Sequence, residues 1–139
     1  MKRLFLCIFL VSAFLHANEV IWSGTVLSDG TPTAPIALNL HENYKIKASG
    51  FINLGKFIQN KEKLANDACY EFNAEGETER IISIKNSLDI SVCDGKYHAD
   101  HVYPSKPFVA KQNRIHFWIF DTDYEDNHGE LNVEIIHIK

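Results

Sequence analysis

The chain has no basic stripe. Its 14 Lys and Arg are scattered over 139 residues and outnumbered by 18 Asp and Glu. Nucleic-acid binding draws on clustered cations that neutralise phosphates, so that class is excluded. Catalytic signatures are missing as well. No Gly-x-Ser-x-Gly, no His-Glu-x-x-His and no glycine-rich phosphate loop occurs, and with them go the common nucleophile, zinc-hydrolase and nucleotide sites. Paired carboxylates such as Asp121 and Asp126 work on glycosides only when one is held in an apolar, proton-retaining setting. Nothing in their surroundings provides one, and the expectation is a protein that is not an enzyme. Internal repeats, low-complexity stretches and linkers are also absent, so the chain reads as one domain of about 120 residues behind a leader.

That leader is the one long apolar run. Met-Lys-Arg is followed by apolar residues 4–15 and by His16-Ala17, after which polarity returns at Asn18. A basic start, about a dozen apolar residues and a small residue at the end make a secretory signal peptide over 1–17. The run is too short for a stable membrane anchor. The mature domain, 18–139, is therefore expected outside the cytoplasm, periplasmic or secreted. Loss of Lys2 and Arg3 lowers Lys plus Arg from 14 to 12 against 18 Asp and Glu, a formal charge of −6.

Cysteine is scarce. Of three, Cys7 leaves with the leader, so Cys69 and Cys93 remain. An even pair in an exported chain predicts a disulfide. Closing a loop of about 25 residues is worth roughly 3 kcal/mol by the chain-entropy argument. The acidic 73–80 stretch between them supplies little core, and a covalent staple offsets the entropy of ordering it. Two free buried thiols are the competing reading; a Cys-x-x-Cys redox centre is not.

What is present is a succession of short apolar or alternating runs, at 20–27, 36–41, 44–51, 69–72, 81–85, 90–92, 107–110, 114–120 and 131–138, with Gly, Asn and Asp between them. Such punctuation predicts an all-β antiparallel sandwich or barrel. The 44–51 run alternates, with Tyr44, Ile46 and Ala48 on one face and Lys45, Lys47 and Ser49 on the other. The 115–120 run is apolar on both faces, which predicts a central, doubly covered strand. Only 56–67 has helix-compatible composition; it is read as a loop with at most a helical turn.

The densest chemistry lies between the last two runs. Asp121-Thr-Asp123-Tyr124-Glu125-Asp126-Asn127 carries four carboxylates and an amide in seven residues. Anions packed onto a tight loop repel unless solvent or a cation screens them, and hard oxygens offered from a turn suit Ca²⁺. The bland reading is a soluble turn, since Asp, Asn and Gly tolerate turn geometry. An EF-hand is excluded: Asp126 stands at the sixth position where Gly is needed, Asn132 at the twelfth where Glu belongs, and the flanks are strands.

Three separated segments share a pattern: Trp22-Ser-Gly24-Thr-Val-Leu27, Ala48-Ser-Gly50-Phe51-Ile-Asn-Leu-Gly55, and Phe120-Asp121 with Asp126-Asn127-His-Gly129. Their order and spacing resemble the PA-IL-like family of calcium-dependent, galactose-binding bacterial lectins. The resemblance implies a galactose-binding-like jelly-roll sandwich with calcium between the Gly50–Gly55 turn and the C-terminal loop. It implies Asp121 as strand-end carboxylate ligand, with Asp123 competing for that role or giving a carbonyl. It further implies Asp126 and Asn127 as consecutive side-chain ligands and a carbonyl from Leu54. Asp121 and Asp126 are expected to face a glycan as well, and Tyr124, which sits in the acidic loop itself, to line that binding site. The chain departs from the family at Asp126, where the family has Asn, and at 56–67, which lacks the His and Gln that contact galactose. The glycan is thus left open. The alternative is a structural or protein-interaction domain of the same fold that has lost sugar binding and meets an envelope or host protein.

Two further features carry expectations. His98-Ala-Asp-His101 offers two imidazoles, but on a strand or loop they face opposite sides, and a closed zinc site needs four ligands. Trp22 and Trp118 are expected in the core because large apolar bodies drive burial. Trp118 is placed there on one face with His116 and Phe120.

Overall fold

The computed structural model describes residues 17–55 and 65–139. All of the expected leader but Ala17 lies outside them, as does 56–64 with most of the segment expected to hold a helical turn. In chain order the strands are β1 (Glu19–Leu27), β2 (Ile36–Ala37), β3 (Asn43–Ser49), β4 (Asn53–Leu54), β5 (Ala65–Asn66), β6 (Tyr70–Phe72) and β7 (Thr78–Arg80), then β8 (Ile84–Asn86), β9 (Val102–Pro104), β10 (Phe108–Val109), β11 (Arg114–Ile115), β12 (Phe117–Ile119), β13 (Asn127–His128) and β14 (Glu130–Ile138). Every pairing is antiparallel and no helix occurs among the described residues. The chain is all-β and sandwich-like.

The principal sheet is built on β14, which pairs β1 on one side and β3 on the other; β9 and β10 extend it beyond β3. Period-two alternation sets its inner face. Tyr44, Ile46 and Ala48 from β3 and Leu131, Val133 and Ile135 from β14 are buried, while Lys45, Lys47 and Ser49 are not. Lys47 and Glu134 stand opposite each other on the outer face and form an ion pair. Ile21 is an extra residue in β1, where the register to β14 shifts between Val20 and Trp22. Such a bulge twists an edge strand away from further pairing.

Against this sheet lie the short pairs β2–β11, β8–β12 and β4–β13 and the three-stranded β5–β6–β7. Ile84, Ile115, Phe117 and Ile119 join the inner residues of the principal sheet in one apolar cluster. Trp22 packs on that cluster, its indole stacked 6.1 Å from Phe117. The stack needs Gly24, because a Cβ there would collide with the indole.

The structure corrects several expectations. The 114–120 run is not covered on both sides: Ile115, Phe117 and Ile119 are buried, whereas His116 and Trp118 are half-buried and Phe120 is 54% exposed. Trp118 therefore lies on the outer face beside His116, ring centroids 5.4 Å apart, because the odd-numbered face claims the core. The run is also broken at His116, which exchanges hydrogen bonds with Ser87 through its amide and carbonyl. Residues 90–92 form no strand. The Asn86 side chain replaces a ladder partner there: its Oδ1 accepts from the amides of Leu88 and Ile90, and its Nδ2 donates to the Ile90 carbonyl. Ala65 and Asn66, at the end of the segment read as a loop, are in strand β5.

Candidate functional site

The acidic loop leaves the core at Ile119 and returns through β13, whose residues Asn127 and His128 pair with Leu54 and Asn53 of β4. Two sequence-distant turns are thereby joined. Tyr124 shapes the loop. Its hydroxyl donates to the Ile119 carbonyl (3.3 Å) and accepts from the Asp121 amide (3.1 Å), while its carbonyl accepts from the Asn127 amide (3.3 Å). Its ring lies across Gly30, where a Cβ would approach to 2.7 Å. The phenol thus braces the loop, and the residue remains 38% exposed.

The carboxylates of the loop are not equivalent. Asp123 is exposed and its Oδ1 accepts from the Glu125 amide at 3.1 Å, an ordinary turn contact. Asp121 is half-buried; its Oδ1 accepts from the Thr122 amide at 2.6 Å, and its Oδ2 is buried without a hydrogen-bond partner. Asn127 behaves alike. Its Nδ2 donates to the Ser28 carbonyl at 2.8 Å, which fixes the amide, since a carbonyl can only accept. Its Oδ1 is consequently turned into the protein, again buried and unpartnered. Asp126 packs its carboxylate over Gly55, where any Cβ would collide with it, and Gly55 has φ +73°. Only glycine permits this approach.

Asp121 and Leu54 line one cleft of about 460 Å³, together with Asn66, Lys85, Phe120 and Thr122 among others. Leu54 is thus paired with Asn127 and shares a cleft with Asp121, and Asp126 covers the neighbouring Gly55; Asp123 stays on the outside. Among the described residues no three His, Cys, Asp or Glu side chains gather as a metal group. Any cation here would draw on carboxylate, amide and backbone oxygens together, a donor set for Ca²⁺ rather than for zinc.

Protein-family models, curated proteins and solved structures give no match to this chain.

A second cluster centres on Asp67, which the sequence reading did not single out. Its carboxylate is fully buried. Oδ1 accepts from the amides of Cys69 (2.8 Å) and Tyr70 (2.7 Å), and Oδ2 from the Tyr103 hydroxyl (2.9 Å) and His101 Nδ1 (3.0 Å). Burial and the adjacent carboxylate raise the Tyr103 phenol well above its ordinary range. His98 turns elsewhere, its Nε2 3.0 Å from Asp94 Oδ2. The Lys96 amide and then His98 hold the Asp94 carboxyl below its usual value. The two histidines thus serve different carboxylates and do not converge on a common point. Cys69 and Cys93 are joined by a disulfide, Cα atoms 5.6 Å apart, which ties this cluster to the 91–94 segment. A charged residue directly before the apolar Ala-Cys-Tyr run was the available signal for Asp67.

Proposed function

We propose that this protein is an exported, non-catalytic, calcium-dependent carbohydrate-binding module, a jelly roll of the kind its sequence resembles. The supporting observation is the pair of buried oxygens, Asp121 Oδ2 and Asn127 Oδ1. Among the described residues they are the only buried side-chain nitrogen or oxygen atoms without a partner. A buried acceptor left unpaired costs about 1–3 kcal/mol, more when charged, so a fold does not retain two in one loop without compensation. A hard cation supplies it. Asp121, Asn127, Asp126 and the Leu54 carbonyl would hold Ca²⁺. The bound ion's remaining positions, otherwise filled by water, would accept the vicinal hydroxyls of a sugar. The leader, the disulfide and the acidic mature charge fit a compartment where calcium is plentiful and thiols oxidise.

Calorimetric titration of the mature protein with Ca²⁺, repeated on Asp126→Ala and Asn127→Ala, tests the metal site. Saturation a hundredfold above Kd stabilises by about 2.7 kcal/mol, a rise in Tm of roughly 10 °C for a domain of this size. No heat and no thermal shift at millimolar Ca²⁺ refutes the site. A glycan array run with and without EDTA tests the sugar. EDTA-sensitive hits support the lectin reading, and a blank array beside a clear calcium response leaves the ion a structural part of a protein-interaction domain.

A further inference from the structure

We propose that the outward edge of His101, rimmed by Phe51 and Tyr97, is a second carbohydrate-contact surface, receiving further rings of a glycan whose end sits at the cation. This rests on the lectin reading above and adds a subsite built from different residues. The imidazole is held on three sides. Asp67 is an acceptor only, so the proton shared at 3.0 Å belongs to His101 Nδ1, and in the neutral ring Nε2 carries the lone pair. The carboxylate cannot swing away, because Cys69, Tyr70 and Tyr103 donate to it as well. Phe72 stacks on the ring at 4.5 Å and 22°.

Among the described residues His101 is one of three non-glycine residues with positive φ, at +55°, and its backbone is locked by its amide to the His98 carbonyl and its carbonyl to the Gly50 amide. Left-handed backbone at a side-chain-bearing residue persists only where the surroundings over-determine it. Nε2, by contrast, has no hydrogen-bond partner among the described residues and is not among the buried unpaired atoms, so it meets solvent. The side chain keeps 18% of its exposure.

Beside the imidazole stand the rings of Phe51 and Tyr97, each edge-on to it with centroids 5.7 and 5.8 Å away, and Phe51 is 60% exposed. Anchoring the Asp67 loop requires Asp67, Tyr103 and two amides; it does not require an exposed Phe51. A fixed acceptor inside an aromatic rim suits a sugar ring, whose C–H face lies on aromatic carbon while a hydroxyl donates to the nitrogen. A metal would need further ligands, and His98 is turned to Asp94. A catalytic base would need a nucleophile, and no described group hydrogen-bonds to Nε2. Phe51 and Leu54 are three residues apart, so their Cα atoms lie within about 11 Å, a span that a short oligosaccharide bridges.

The test uses the calcium-loaded mature chain on a glycan array, then titration with the best-bound array oligosaccharide and with the methyl glycoside of its terminal sugar. Phe51→Ala and Tyr97→Ala should each weaken the oligosaccharide about tenfold, the scale of a lost ring contact, while the methyl glycoside changes less than about twofold. Tyr97→Ala also lowers Tm, because it gives up its ring contacts with Tyr70 and Phe72, so its comparison is made at a temperature where circular dichroism shows both chains folded. Equal affinities of wild type and both variants for the oligosaccharide overturn the subsite. So does a blank array from calcium-loaded protein. Absent calcium heat with EDTA-insensitive hits that Phe51→Ala abolishes would instead overturn the cation site and leave this surface standing.

Discussion

Replacing Asp67 by Ala should be among the most damaging single substitutions in the domain. The carboxylate is fully buried and accepts four hydrogen bonds, from the amides of Cys69 and Tyr70, the Tyr103 hydroxyl and His101 Nδ1. His101 is partly exposed and can turn to water; the other three donors cannot. Each buried donor left unpaired costs about 1–3 kcal/mol, and relaxation or an entering water recovers part of it. A loss of about 3–5 kcal/mol follows, the range seen when one partner of a buried pair is removed. For a domain of this size that lowers Tm by about 15 °C. Asp67→Asn is the informative companion. Its Oδ1 keeps the two amides, and its Nδ2 faces groups that can both become acceptors, the tyrosine hydroxyl by rotating and the imidazole by changing tautomer. The expected cost is only about 1 kcal/mol, with the His101 proton moved to Nε2. Circular-dichroism melts of the oxidised, mature chain measure the first effect, and imidazole nitrogen shifts in NMR report the second. If Asp67→Ala melts within about 3 °C of wild type, the buried carboxylate is not the hub described here.

Gly55→Ala should weaken Ca²⁺ binding at least tenfold, because a Cβ displaces the Asp126 carboxylate and φ +73° penalises any side chain by about 1–2 kcal/mol; unchanged calorimetry would show that Asp126 takes no part. The Tyr103 phenol is raised above its ordinary value of 10.0 by burial and by Asp67. Its contribution to stability is therefore complete below that pH and lost as pH climbs above it. Phenolate absorbance should show one tyrosine that ionises only as the domain unfolds, and Tyr103→Phe should remove that phase. Reducing the Cys69–Cys93 bridge should cost roughly 3 kcal/mol and be seen as a lower Tm, and non-reduced mass spectrometry should find the two thiols inaccessible to alkylation.

The long strands were legible because alternation and burial agree over enough residues. β1, β3 and β14 were read nearly to their ends, and Tyr44, Ile46 and Ala48 turned inward as their spacing required. Short strands were not. Thr78–Arg80 and Val102–Pro104 are polar or end in proline, and they are strands only because β6 and β3 pair with them. Strand propensity largely measures fit to neighbours, and a three-residue segment brings too little of its own to announce itself. The converse error at 90–92 has the same origin. Ile90 and Val92 make it strand-like, but the Asn86 side chain takes both the amide and the carbonyl of Ile90 before any strand can.

The geometry of the acidic loop was not legible in detail. Sequence identifies Asp121, Asp123 and Asp126 as chemically identical carboxylates; which of them keeps a free oxygen depends on what folds around it. Asp123 spends Oδ1 on a local amide in solvent, and Asp121 is drawn inward by the Tyr124 brace until Oδ2 loses both water and partner. That Asp67 pairs with His101, 34 residues away, cannot be read from either segment alone. Yet both constellations touch the same turn: the Gly50 amide bonds the His101 carbonyl, and Leu54 and Gly55 meet Asn127 and Asp126. The positive φ at Gly50 and Gly55 bends the chain at each end of that turn. A backbone this short and doubly bent couples the two surfaces mechanically, so a substitution that shifts the 50–55 turn should weaken both, whereas Phe51→Ala, which removes a side chain and leaves the backbone path, should weaken only one.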